Sequence, residues 1–137
     1  MDVRATARVE VTSEEKAHPV EAALMLQENG SWRAADPGTQ TIRLIFDAPQ
    51  RLERIAVVFE ENQIQRTQEF VLRWSEGGGH SFRDIVRQQW NFSPPNTIDE
   101  AEDYQVQLSD VKILELVIVP DISRGTARAS LRSLRLS

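Results

Sequence analysis

The sequence predicts an all-β chain folded as an antiparallel β-sandwich, and three observations carry that expectation. Apolar and polar residues alternate with a period of two in segment after segment. The segments are short and punctuated by Gly, Pro, Asn and Asp. A helical spacing of charge appears in one stretch alone, near the C-terminus. With 137 residues, 40% hydrophobic and 27% charged, the chain makes one domain, 1–137. That length buries roughly two-thirds of the surface its unfolded form exposes.

Taken in order, Val3, Ala5, Ala7, Val9 and Val11 alternate with Arg4, Thr6, Arg8 and Glu10, which predicts a half-buried strand over 3–11. Pro19 to Leu24 begins a helical turn with Pro in its first position. Asn29-Gly30-Ser31-Trp32 through Asp36-Pro37-Gly38 is dense in turn formers and reads as an irregular loop. From Thr39, Ile42, Leu44 and Phe46 line one face of a strand that Asp47-Ala48-Pro49 stops. Ile55, Val57 and Phe59 make the next strand, and Phe70, Leu72 and Trp74 the one after. Ser75 to His80 is a hairpin-type connection to an imperfectly alternating strand from Phe82 to Trp90. Pro94 and Pro95 forbid ladder bonding beyond it. Tyr104, Val106 and Leu108 resume the alternation. Val111 to Val119, apolar apart from Lys112 and Glu115, reads as a central strand covered on both faces. At the C-terminus Arg124, Arg128, Arg132 and Arg135 recur at helical spacing, whereas Ala127, Ala129, Leu131, Leu134 and Leu136 make a strand with a one-residue slip. Local pattern favours the helix there.

Composition narrows the chemistry. Sixteen basic against 21 acidic side chains give a net charge of −5, which opposes strong phosphate binding, so nucleic acid is not the expected partner. The absence of Cys excludes disulfides and thiolate chemistry. His18 and His80 are the two histidines, and neither has a second at metal-ligand spacing. No apolar run reaches membrane-spanning length, and Met1-Asp2-Val3-Arg4 lacks a signal-peptide core, so a cytoplasmic protein without membrane partners is expected. No nucleophile has an identifiable base, which predicts a non-catalytic protein.

Several stretches resemble the galactose-binding-like superfamily, the discoidin or coagulation-factor type C jelly roll. They are the irregular Pro19 to Trp32 segment, Thr39 to Asp47 followed by Pro49, Phe70-Val71-Leu72-Arg73-Trp74-Ser75-Glu76-Gly77-Gly78, and Leu114 to Ile118 with a terminal Leu131-Arg132-Ser133-Leu134-Arg135-Leu136. In that family's closing motif the slip is usual, which turns the C-terminal expectation to strand. Where many members carry a calcium-holding Glu this chain has Ser133, and Gln27-Glu28-Asn29-Gly30 matches the family's calcium loop only loosely. No metal or other cofactor is expected. The resemblance implies recognition through loops at one end of the sandwich, with carbohydrate as the first ligand class.

On the residues themselves, Trp74 shares the phase of Phe70 and Leu72 and reads as core, while Trp32 and Trp90 stand at strand–loop junctions where a flat ring can meet a ligand. The segment Glu60 to Gln68 gathers side chains that donate and accept hydrogen bonds in fixed geometry. The candidate ligand residues are therefore Trp32, Arg33, Asn62, Gln63, Arg66, Trp90 and Asn91. Asp99-Glu100-Ala101-Glu102-Asp103 lacks the spacing of a calcium loop and reads as a solvated acidic loop. Asn29-Gly30-Ser31 and Asn91-Phe92-Ser93 match the glycosylation acceptor pattern, which has no consequence without secretion. Fourteen Arg against two Lys favour planar, bidentate pairing. The alternative role is a protein-interaction or assembly subunit, with nucleic-acid binding through the C-terminal arginines below it.

Overall fold

Two long strands frame the computed structural model, which describes residues 1–25, 30–77 and 81–137. Gln27, Glu28, Asn29, Gly78, Gly79 and His80, about which the sequence raised expectations, lie outside that range. Strands β3 (Gln40–Glu60) and β6 (Asp99–Val119) run antiparallel along nearly their whole length, from Gln40 opposite Ile118 to Glu60 opposite Asp99. Their register shifts between Ile45 and Arg54, and Asp110 adopts a left-handed φ of 59°. Irregularities of this kind twist and bend a ribbon, so the same two strands serve both layers. Asp47-Ala48-Pro49 thus does not end the strand as expected. Its missing N–H is tolerated because it falls inside the irregular stretch.

One layer takes the order β1 (Ala7–Val11), β3, β6, β4 (Arg66–Ser75), β5 (Arg83–Phe92), and beyond the bend β8 (Ser133–Leu136) pairs with Ile55 to Val58 of β3. A separate two-stranded sheet joins β2 (Trp32–Arg33) to β7 (Ser130–Leu131). The core lies between the layers. Ile42, Leu44 and Phe46 from the first half of β3 and Ile55, Val57 and Phe59 from the second are each no more than 1% exposed. The Phe59 and Phe70 rings meet at a centroid distance of 5.0 Å across that core.

Several sequence expectations are modified by local physics. Residues Val3–Thr6 form a helical turn, α1, because the Asp2 carboxylate accepts the Arg4 N–H at 3.1 Å and Val3 is buried, so the first strand starts only at Ala7. The turn after Pro19 is present as α2 (Glu21–Leu24), with Ala23 and Leu24 inward. Imperfect alternation in β5 has a cause: Leu72 faces Val86 while Arg73 faces Asp84, leaving Ile85 as a bulge. The C-terminus is strand with the expected slip. Arg132 is the slipped residue, its N–H donated to the Val58 carbonyl at 2.9 Å, and it separates β7 from β8 so that Leu131, Leu134 and Leu136 all face inward.

The stretch Asp99 to Asp103 is strand, the start of β6, and not a solvated loop. Its alternation sends Glu100 inward, to 1% exposure, in phase with Tyr104, Val106 and Leu108. The four C-terminal arginines do not share a face. Arg124 sits at a positive φ of 70° in a turn, and Arg135 donates to the Met25 carbonyl at 2.6 Å.

Candidate functional site

At the end of the sandwich where β3 hands over to β4, the chain encloses a polar cleft of about 190 Å³. One wall is the small sheet: Arg33 of β2 pairs with Ser130 of β7, flanked by His18, Ser31, Arg128 and Arg132. Backbone bonds set that wall, with the Arg33 N–H donated to the His18 carbonyl at 3.1 Å and the Glu15 N–H to the Arg33 carbonyl at 2.8 Å. The opposite wall is Glu60, the last residue of β3, and the connection Glu61-Asn62-Gln63. The Ser130 hydroxyl closes the base by donating to the Glu60 carbonyl at 3.4 Å.

A buried ion pair holds the connection. The Glu61 carboxylate accepts from Arg66 Nε at 2.7 Å and from the backbone N–H of Gln63 at 3.0 Å and of Ile64 at 3.4 Å. Burial alone would raise the Glu61 carboxyl, but the Arg66 hydrogen bond, the Gln63 N–H and the Arg66 charge together hold it below the usual carboxylate range. Arg66 is itself 3% exposed. Its Nη1 donates to the Pro120 carbonyl at 2.6 Å and to Gln68 Oε1 at 3.1 Å, and its guanidinium lies 4.9 Å from the Phe92 ring centre. The loop is therefore clamped from below.

Of the seven candidate residues, the fold brings Arg33, Asn62 and Gln63 together around the cleft. Arg66 lies beneath it and reaches the site only through Glu61, so it is a positioning residue and not the ligand contact the sequence suggested. Trp32 is 0% exposed, its Nε1 donating to the Ser13 carbonyl at 3.0 Å. Its ring fills the core next to the cleft and cannot serve as an exposed platform, which corrects that expectation. Trp90 and Asn91 belong to the edge strand β5, opposite Gln68 and Thr67, outside the cleft lining. Trp90 is half-buried, and Asn91 accepts from the Thr67 hydroxyl at 3.0 Å. Trp74, by contrast, is core as expected, at 8% exposure.

Sequence reasoning missed His18, Ser31, Arg128, Ser130 and Arg132 as cleft residues, because the β2–β7 pairing that sets them side by side joins segments far apart in sequence. It also missed Glu100. Gln68 Nε2 donates to its Oε1 at 3.3 Å, while Oε2 has no partner. Burial, and then the charge of Glu102, push the Glu100 carboxyl up to about 7 against the opposing Gln68 hydrogen bond and Arg66 charge. An unfolded chain restores it to the ordinary value of 4.5. Between those values the folded state keeps a proton that the unfolded state releases, so stability falls as pH rises from about 4.5 to about 7 and then levels. Glu100→Gln is expected to remove this slope and to stabilise the protein by about 3 kcal/mol at pH 8 with little effect at pH 4.5. Urea denaturation across that range checks it, and a parallel offset at all pH values contradicts it.

No protein-family model matches the chain, nor does any curated protein sequence. Solved structures do resemble it. The family 32 CBM of C. perfringens NanJ, in complex with galactose, superimposes with a TM-score of 0.69 at 12% identity over 98% of this chain and 96% of that one. A CBM32 domain from Clostridium perfringens in complex with GalNAc-β-1,3-galactose gives 0.71 at 16% identity over 98% and 97%. A pectin binding carbohydrate binding module gives 0.64 at 13% identity over 96% and 90%. At these identities the likeness speaks for architecture, and together with the bent β3–β6 ribbon and its antiparallel partners it makes the chain an all-β jelly roll of the galactose-binding-like fold.

Proposed function

We propose that the protein is a non-catalytic carbohydrate-recognition module whose ligand occupies the cleft between Arg33 and the Glu61-Asn62-Gln63 connection. The observation that carries this reading is the cleft itself. It puts two side-chain amides and several guanidiniums around a space of about 190 Å³ at a loop end of the jelly roll. Amides and guanidiniums offer directional donors and acceptors to vicinal hydroxyls. Similar folds solved with galactose and with GalNAc-β-1,3-galactose lend the ligand class support. Among the described residues the lining has no Trp, Tyr or Phe, so recognition rests chiefly on hydrogen bonds, with the His18 imidazole the one ring beside them.

The carboxylates of the cleft are poor candidates for acid–base work. Glu61 is held below the ordinary range by its clamp and so is not a proton donor near neutrality. Glu60 is ion-paired with Arg132 at 3.4 Å. This favours binding over hydrolysis.

Affinity is expected to be modest. A sugar unit of roughly 12 non-hydrogen atoms at about −0.3 kcal/mol each gives about −4 kcal/mol, millimolar binding, so useful affinity needs an extended glycan or several copies. Screening a glycan array and titrating the hits against wild type, Arg33→Ala and Asn62→Ala tests the proposal. Each substitution is expected to weaken binding by about tenfold, the worth of one hydrogen bond to a ligand, with the unfolding midpoint nearly unmoved because both side chains are exposed. A protein that retains no glycan, or variants that bind as wild type does, would overturn it.

A further inference from the structure

Resting on the carbohydrate reading of the cleft, we infer that the preferred ligand is a saccharide carrying an anionic group, a carboxylate or a sulfate, held by Arg128 and Arg33. The charges of the cleft divide into two sets. Glu61 and Arg66 satisfy each other in the buried clamp, at 2.7 Å, and contribute little field outside it. The remaining charges of the lining are Arg33, Arg128, Arg132 and Glu60, with Glu15, outside the lining, paired to the first two. Arg132 has Glu60 at 3.4 Å. Glu15 is shared: its Oε1 lies 3.1 Å from Arg33 Nε and its Oε2 lies 3.9 Å from Arg128 Nη1. One carboxylate thus serves two guanidiniums, and the longer contact leaves Arg128 the weaker share.

Outside the Glu61–Arg66 clamp, three guanidiniums are thus set against two carboxylates in a chain whose net charge is −5. The side chains of Arg33 and Arg128 keep 49% and 43% of their surface exposed, so their planar faces and unused N–H groups remain open to a ligand. A guanidinium fork matches a carboxylate or sulfate edge with two parallel hydrogen bonds, which a neutral hydroxyl cannot reproduce. Asn62, Gln63 and Ser130, on the neighbouring walls, supply neutral partners for the ring hydroxyls of the same sugar. An anionic substituent completes the charge balance of the cleft without displacing Glu60 or the clamp.

The test compares four titrations at low salt: trigalacturonate, a sulfated galactotriose, neutral galactotriose and a neutral gluco-oligosaccharide of equal length. The expected result is that one of the two anionic sugars binds about tenfold more tightly than its neutral counterpart, with the advantage shrinking as salt is raised. Which of the two does so distinguishes carboxylate from sulfate. Arg128→Ala is expected to bring acidic and neutral affinities within about twofold of each other, the limit expected once a surface ion pair is gone. Equal or tighter binding of the neutral sugars, or an acidic preference that survives Arg128→Ala, would overturn the inference while leaving the carbohydrate reading standing. Binding of none of the four would remove both.

Discussion

Replacing Arg43 and Arg73 together by alanine is expected to cost about 3–5 kcal/mol of stability, and adding Glu115→Gln to that double variant is expected to recover at least half of the loss. The reason lies on the outer face of the main sheet. Glu115 points away from the core between β3 and β4, in register with Arg43 on one side and Arg73 on the other, yet it is 0% exposed. Arg43 Nε donates to one carboxylate oxygen at 2.5 Å and Arg73 Nε to the other at 2.6 Å, with Arg43 Nη2 also on the first oxygen. Both guanidiniums lie over the Phe82 ring, at 5.9 and 5.0 Å from its centre. The two arginines, 38% exposed, are the lid that removes Glu115 from water and also the charge that compensates it. Losing both leaves a carboxylate partly enclosed by strands and unpaired, whereas the amide in the triple variant carries no such penalty. Each single substitution should cost less than half the double, since one fork remains. Urea unfolding of the four variants measures this, and a double variant within about 1 kcal/mol of wild type would contradict it.

Trp32→Ala is expected to cost about 3–5 kcal/mol, the loss for a large aromatic side chain removed from a packed core. Trp32 sits in the short strand β2 with its ring 0% exposed and its indole N–H on the Ser13 carbonyl at 3.0 Å. Trp32→Phe should be milder, about 1–3 kcal/mol, because it fills most of the space but leaves that carbonyl without its donor. The same two variants separate core packing from ligand stacking. In Trp32→Phe, whose fold survives, sugar binding should persist, since Arg33, Asn62 and Gln63 still frame the cleft. A Trp32→Ala protein of unchanged stability that has lost its ligand would reverse the assignment.

The residues that mislead and those that inform do so for physical reasons. Period-two alternation made β1, both halves of β3, β4 and β6 legible, because each buries one face against the other layer. The same phase rule also carried information about Arg66, Gln68 and Glu100. Arg66 and Gln68 stand in register with Phe70, Leu72 and Trp74, and Glu100 with Tyr104, Val106 and Leu108. Polarity argued for loops at these positions, and the fold instead accepts them by pairing Arg66 with Glu61 and Gln68 with Glu100. Local pattern could not show that the stretch at Pro49 continues a strand, because the irregular pairing there depends on Gln50 finding Val111 across the ribbon. Nor could it assemble the cleft. Arg33, Asn62 and Gln63 were recognisable as hydrogen-bonding groups beside turns, whereas Arg128 and Arg132 join them only because β7 pairs with β2 and the slip at Arg132 passes the chain to β8.

Mapping amide chemical-shift changes while the best-binding glycan is titrated in tests the account most directly. The expected result is a single contiguous set of shifts that includes Arg33, Asn62, Gln63, Arg128, Ser130 and Arg132, residues that line the cleft from its two walls. Saturation should follow one isotherm, and the amides of β5 from Arg83 to Phe92 should stay still. Shifts confined to the edge strand β5 around Trp90 and Asn91, with the cleft amides unmoved, would contradict the assignment of this cleft as the binding site.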